Sequence, residues 1–365
     1  MRRVRIAPVA LVAIAAIAAA LVIATTSATV EQPARQAVGS PGLYGLGLSR
    51  LPATQDYGRM AAGGTGTVRF VLDWRRVQPS PTAGFHWGQS DRYMGRAAQQ
   101  GITTLPVLFA TPGWLDPSFI KAPVFSAMAR RKWQAFVHAA VARYGRGGSF
   151  WAQNPQVPYD PARDWQVWNE ENSPGFWAPR PSAPSYLRLL SLSTDAITQA
   201  DPRGQVVLGG MSEAGSSQGA IVSWQFLSRL YRLGGGRDFD VVGAHPYSPT
   251  LSGYKLQLRK LARVIRRNHG GGTPIWIDEI GWGSGPPSES PQNKGLRGQA
   301  TFLRRALGFA QANRSQLGIQ RILWFPWRDS GHTPTGCTFC GVTGLIGTGG
   351  AAKPAWRTFR RIATR

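Results

Sequence analysis

Acidic side chains are scarce in this chain, and two of its six glutamates stand in matching surroundings. Glu170 closes the stretch Trp165-Gln166-Val167-Trp168-Asn169-Glu170. Glu279 lies in Pro274-Ile275-Trp276-Ile277-Asp278-Glu279-Ile280-Gly281-Trp282. Each follows a short apolar, β-branched run, and each is set among tryptophans. Carboxylates among aromatic side chains are where a raised pKa and contacts to sugar rings become possible. A single such acid would read as a helix cap or a surface charge. Two in matched context could act as a proton donor and a nucleophile. Glu171 and Asp278 adjoin them, but strand alternation points neighbouring side chains to opposite faces, so neither is assigned chemistry.

Such a pair works only if the fold brings the two run ends together. Eight runs read as strands: 43–48, 67–72, 103–109, 165–168, 205–208, 239–244, 274–277 and 320–325. Their unbroken apolar character suits strands buried on both faces of a parallel sheet. Amphipathic helical patterns separate them at 127–144, 185–199, 220–233, 254–268 and 298–313. Repeated strand–helix order predicts an α/β fold, a single-domain (β/α)8 TIM barrel over 42–365. A doubly wound open sheet would carry a glycine-rich phosphate loop after its first strand, and Gly42-Leu43-Tyr44-Gly45-Leu46-Gly47 is not followed by one. In a barrel the C-terminal strand ends carry the function, and both glutamates fall there.

Trp168-Asn169-Glu170 on the fourth strand and Ile277-Asp278-Glu279-Ile280-Gly281-Trp282 on the seventh resemble the large clan of retaining glycosidases, with family 39 and family 5 nearest. Val68-Arg69, Thr111-Pro112-Gly113-Trp114, Ala244-His245-Pro246-Tyr247 and Lys353-Pro354-Ala355-Trp356 extend the likeness along the chain. The resemblance implies a glycosidase cleaving O-glycosidic, β-linked bonds by double displacement, with Glu170 as acid/base and Glu279 as nucleophile. By the same matching, Arg69 sits near Glu279, Asn169 bonds the sugar 2-OH, Tyr247 donates to Glu279 and His245 lines that wall. Trp114, Trp282, Trp324 and Trp327 lie at or beyond strand ends as candidate stacking platforms, Trp327 being preferred. A carbohydrate-binding barrel would normally have lost one carboxylate. A transglycosylating barrel would share the same intermediate.

Composition constrains the remainder. The 365 residues hold 42 Lys+Arg against 18 Asp+Glu, a formal net charge of +24. The basic residues are scattered and no nucleic-acid-binding motif accompanies them, so the partner expected is carbohydrate, with no nucleic acid. Attraction of an arginine-rich surface to anionic polymers or cell envelopes is a secondary reading. Met1-Arg2-Arg3-Val4-Arg5, the apolar run 6–24 and the small residues after it read as a signal peptide over 1–28, or an uncleaved anchor, followed by a linker over 29–41. The chain is therefore expected to be exported, and monomeric. In an exported chain Cys337 and Cys340 read best as a local disulfide. The five histidines (His86, His138, His245, His269, His332) have no ligand spacing, so no metal or cofactor is expected.

Overall fold

The computed structural model describes residues 42–213, 219–269, 272–332 and 337–365. The leader and linker expected over 1–41 lie outside these. Among the described residues, no helix is long and apolar enough to cross a membrane.

Nine parallel strands run in chain order: β1 (Tyr44–Leu48), β2 (Thr67–Asp73), β3 (Thr103–Phe109), β4 (Asp164–Val167), β5 (Gln205–Leu208), β6 (Met211–Ser212), β7 (Val242–His245), β8 (Ile275–Ile280) and β9 (Ile319–Trp324). β1 pairs with both β2 and β9. β5 pairs with β4, and β6 pairs with β7. These two short strands are halves of one stave interrupted at Gly209-Gly210, and a bridge from Val207 to Val241 continues the ring. The result is an eight-stave barrel. Its staves are followed in turn by the helices Thr54–Ala62, Gly88–Ala98, Ala127–Tyr144, Ala183–Ala200, Ser223–Arg232, Leu251–His269, Gly295–Ala312 and Pro354–Ala363.

Local sequence accounts for these elements. In Ala127–Tyr144 the buried residues Trp133, Phe136, Val137, Ala140, Val141 and Tyr144 recur every three or four positions. Ser126 caps that helix by accepting from the Ala129 N–H, and Gly145 ends it. Ser182 caps Ala183–Ala200 in the same way, with Pro184 in the first turn. The strands are buried on both faces. Leu105, Val207, Val241 and Trp276 form a separate apolar cluster inside the barrel, distinct from the main core shared with the helices. Beside it Arg321 pairs with Asp164 at 2.9 Å and lies 3.7 Å over the Trp276 ring. The barrel interior is thereby filled by side chains at this level.

Candidate active site

β2, β4, β7 and β8 deliver the polar side chains of the mouth. Arg69 on β2 is the hub. Its Nη1 donates to Glu279 Oε2 at 2.9 Å, its Nη2 to Asn169 Oδ1 at 2.6 Å and its Nε to Gln166 Oε1 at 2.6 Å. The guanidinium fork supplies several fixed donors in one plane, which a lysine could not. Tyr247 donates from its phenol to Glu279 Oε1 at 2.9 Å. Both oxygens of Glu279 are thus held by donors. Burial and the charge of Glu279 push the Tyr247 phenol pKa up, so that it stays a donor.

His245, at the end of β7, is fully buried. Its Nδ1 lies 2.9 Å from Glu170 Oε1 and 3.8 Å from Glu279 Oε2, and its Nε2 lies 3.5 Å from Asp278 Oδ2. Burial alone would depress its pKa. The charges of Glu279 and Asp278, with hydrogen bonds to Asp278 and Glu170, outweigh burial and raise it to about 10. Arg69 and an imidazolium at His245 are two cations among three carboxyl groups, Glu170, Glu279 and Asp278.

Backbone irregularities place the two glutamates. On β8, Ile277 pairs with Ile322 but Ile280 pairs with Trp324. Three steps on one strand match two on its neighbour, so the segment holding Asp278 and Glu279 is bulged. A bulge breaks the strict alternation of side chains. This corrects the expectation that Asp278 points away. Its carboxylate accepts from the Ala244 N–H at 2.7 Å and from Gln166 Nε2, inside the barrel. After β4, Trp168 and Glu170 have φ of 72° and 44°, left-handed values unfavourable for residues other than glycine. The turn is pinned by Trp168 N to Leu108 O at 2.9 Å and by Glu170 N to Gly209 O at 2.8 Å. Glu171 is driven into the interior beside Gly209, where burial raises its carboxyl pKa to about 8.

The tryptophans play a different part from the one expected. Trp168, Trp282 and Trp324 are fully buried, and Trp327 is 2% exposed. The indoles of Trp168, Trp282 and Trp324 donate to the carbonyls of Phe176, Ser248 and Thr343. Trp327 packs edge-on to Trp356 with Arg59 over its ring. None of these presents a face to the mouth, so Trp282, Trp324 and Trp327 are core residues and not stacking platforms. Packing won because an indole buries much apolar area while its N–H finds one carbonyl. Trp114 is half-buried, bonded through its indole to Gln78 O at 2.8 Å.

Three residues escape sequence reasoning. Asp278 is misplaced by strict alternation because of the bulge. Gln166 is visible only as a lone polar side chain between Trp165 and Val167. Phe325 is half-buried, and a β-carbon on Gly47 would strike its ring. Gly47 is the register partner of Arg69, so the Phe325 ring lies on the Arg69 side of the sheet. The Cys337–Cys340 disulfide closes a turn whose Phe339 ring meets Tyr247 at 5.7 Å, edge to face.

Glu170, His245 and Glu279 offer ligand atoms all within 4.8 Å of one another, the one such group among the described residues that could hold a metal ion. The Glu279 oxygens are already taken by Arg69 and Tyr247, and Glu170 Oε1 by His245. A cation there would have to displace the fixed charge of Arg69. The arrangement instead suits two carboxyls acting across a gap that admits one reacting carbon.

A parallel (β/α)8 barrel with two carboxylates facing each other at the mouth defines the structural class. No protein-family model and no curated protein matches the sequence. Among solved structures the chain is similar to a family 39 glycoside hydrolase from the gut symbiont Bacteroides cellulosilyticus WH2, at TM-score 0.66 and 18% identity over 88% of this chain. It spans 63% of that protein's length. It is similar also to the family 39 enzyme of Xanthomonas axonopodis pv. citri, at TM-score 0.66 and 18% identity over 90% of this chain and 68% of that one. A family 39 β-xylosidase from Caulobacter crescentus aligns at TM-score 0.63 and 21% identity over 90% of this chain and 73% of that one. The chain thus resembles the family 39 and family 5 barrels in fold.

Proposed function

We propose that this chain is a retaining glycoside hydrolase that cleaves β-linked O-glycosidic bonds, with Glu170 as general acid/base and Glu279 as nucleophile. The observation that carries the reading is the spacing of the two glutamates, which have carboxyl oxygens within 4.8 Å of each other. Retaining enzymes hold their carboxyls about 5–5.5 Å apart, whereas inverting ones need about 6.5–9.5 Å to admit a water. Solved glycoside hydrolases with the same barrel support it.

Glu279, oriented by its hydrogen bonds from Arg69 and Tyr247, attacks the anomeric carbon as the bond to the leaving oxygen breaks. Glu170 delivers its proton to that oxygen. Glu170 then takes a proton from water, whose oxygen attacks the same carbon and releases Glu279. Two inversions leave the configuration unchanged. Asn169 gives its carbonyl to Arg69, so its amide N–H2 remains as the group to meet the sugar 2-OH. Export through the N-terminal apolar segment, and action as a monomer on an extracellular glycan, belong to the same proposal.

The test is a glycan and aryl-glycoside panel with the native chain, Glu170→Gln and Glu279→Gln, with product configuration followed by NMR. Either change should lower kcat by about a thousandfold or more. Azide should rescue Glu170→Ala with retention and Glu279→Ala with inversion. Full activity in either glutamine variant, or an inverted first product from the native chain, would overturn the reading.

A further inference from the structure

The excess positive charge is not spread evenly over the fold. Residues 241–365 hold eighteen Lys and Arg against four acids. Of those acids, Asp278 and Glu279 belong to the mouth, and Asp329 is buried against Lys353 at 2.6 Å. Glu289 alone is exposed. The outer helices Ser223–Arg232, Leu251–His269, Gly295–Ala312 and Pro354–Ala363 contain no acidic residue at all. They are consecutive around the barrel, so their outer sides form one surface dominated by positive charge, with the exposed Asp240 and the half-exposed Asp238 confined to the connection after the first of them.

Its densest stripe lies on Leu251–His269. Arg259, Arg263, Arg266 and Arg267 are all exposed there, at spacings that keep them on one side of the helix over about 12 Å. None has an acidic partner among the described ion pairs. Arg304 and Arg305 continue the surface on the next helix. Two surface pockets fall on it, one lined by Arg357, Arg360 and Arg361, the other by Arg180, Arg229 and Arg232. Because barrel helices run back from the strand ends, Lys255, Lys294 and Arg297, near the N-terminal ends of their helices, lie toward the mouth. The positive surface therefore leads from the outer wall to the candidate site.

We propose that this surface docks an anionic polysaccharide bearing carboxylates along its chain, and that such a polymer is what the mouth receives. Guanidinium forks pair with carboxylates bidentately, and unpaired arginines in a row present several such forks to a repeating anion. Single-stranded nucleic acid fits less well. Single strands need aromatic faces open between the cations, whereas the Phe309 ring is covered by Lys255 and Arg259, and Trp224 by Lys260. An anionic membrane fits less well too, because the apolar sides of these helices are buried on the barrel and the large apolar side chains left exposed on them, Leu256 and Leu296, stand singly on separate helices. That the polymer is a glycan rests on the glycosidase reading. The docking itself does not.

Binding is measured with the full chain carrying Glu279→Gln, so that no turnover is needed, against alginate, neutral dextran, duplex DNA and phosphatidylglycerol vesicles. Alginate should bind in low salt and weaken at least about tenfold between about 50 and 300 mM NaCl, as screening of exposed charge requires. Adding Arg259→Glu, Arg263→Glu, Arg266→Glu and Arg267→Glu should weaken it by at least about tenfold more. The four arginine-to-glutamine changes serve if the reversal variant melts early. Dextran should not bind. No alginate binding, binding unaffected by both quadruple variants, or DNA or vesicles bound as tightly as alginate would overturn the proposal. Alginate binding by a chain that cleaves no glycan would leave docking standing and remove the glycosidase reading. Cleavage of a neutral glycan without alginate binding would do the reverse.

Discussion

The imidazole Nδ1 of His245 lies 2.9 Å from Oε1 of Glu170, while its other nitrogen faces Asp278 at 3.5 Å. A protonated ring would donate to Glu170 and bring its charge to Asp278 at ion-pair distance, where Nε2 makes no hydrogen bond. These surroundings favour the protonated ring.

That relationship predicts a pH-dependent stability. His245 has its pKa raised from the ordinary 6.5 to about 10. A group whose pKa rises on folding contributes stability that is fully present below its unfolded pKa and disappears as pH climbs through the folded one. Native chain and His245→Gln should thus differ most near pH 6, by a few kcal/mol as an order of magnitude, and converge above about pH 10. Thermal melts of both at about pH 6, 8 and 10.5 check this. A difference that stays constant or widens with pH would show that the ring is held neutral.

Arg69 is irreplaceable by another cation because three acceptors from two strand ends converge on its fork. Arg69→Lys should lower kcat/KM by about 100-fold or more, mostly through kcat, since Gln166 and Asn169 lose their donors while Glu279 keeps only a mobile point charge. Steady-state kinetics on the substrate found by the panel decide it. A loss under about threefold would mean that the fork is structural only.

Local chemistry makes much of this architecture legible in the amino-acid sequence. The helix 127–144 agrees with the expected bounds, because its apolar spacing, Ser126 and Gly145 all point the same way. The helices Thr54–Ala62 and Gly88–Ala98 escape such a reading, since both are short and polar and carry internal or leading glycines. The fifth stave shows as 205–208 alone because its second half is two residues beyond a glycine pair. The site is illegible in one instructive place. Period-two alternation counted from Glu279 puts Asp278 on the wrong face, whereas Asp278 shares the barrel interior with Trp276 two residues back, and no local pattern in Ile277-Asp278-Glu279-Ile280 announces the bulge that turns Glu279 inward beside it. The tryptophans mislead for another reason: sequence position beyond a strand does not say whether an indole faces the mouth or the helices.

Gly210 interrupts the fifth stave with φ of 77°, and a β-carbon there would overlap Nε2 of His245 and sit 2.9 Å from Asp278 Oδ2. Both the backbone conformation and the space are reserved for glycine. Gly210→Ala should therefore destabilise the fold by about 2–4 kcal/mol and displace the imidazole. Gly308, exposed in the helix Gly295–Ala312 with nothing near its would-be β-carbon, is the control. Gly308→Ala should be neutral or stabilise by up to about 1 kcal/mol. Denaturant titrations of the two variants test the contrast, and equal effects would sink it.

Phe325 and Trp324 are neighbours with opposite duties. Trp324 is buried and bonded to Thr343 O at 3.0 Å, whereas the Phe325 ring is half-buried on the Arg69 side of the sheet. An aromatic ring at that place can lie against the apolar face of a pyranose. Phe325→Leu should raise KM by about tenfold, corresponding to roughly 1.4 kcal/mol of lost contact, with the melting temperature nearly unchanged. Trp324→Phe should lower stability by about 1–3 kcal/mol, because it removes one of the two donors to the Thr343 carbonyl, leaving that of Gln299, and opens a gap in the core, while KM stays the same. Kinetics and melts on both variants separate binding from packing. A rise in KM from Trp324→Phe, with none from Phe325→Leu, would reverse the assignment and return the buried tryptophan to the substrate.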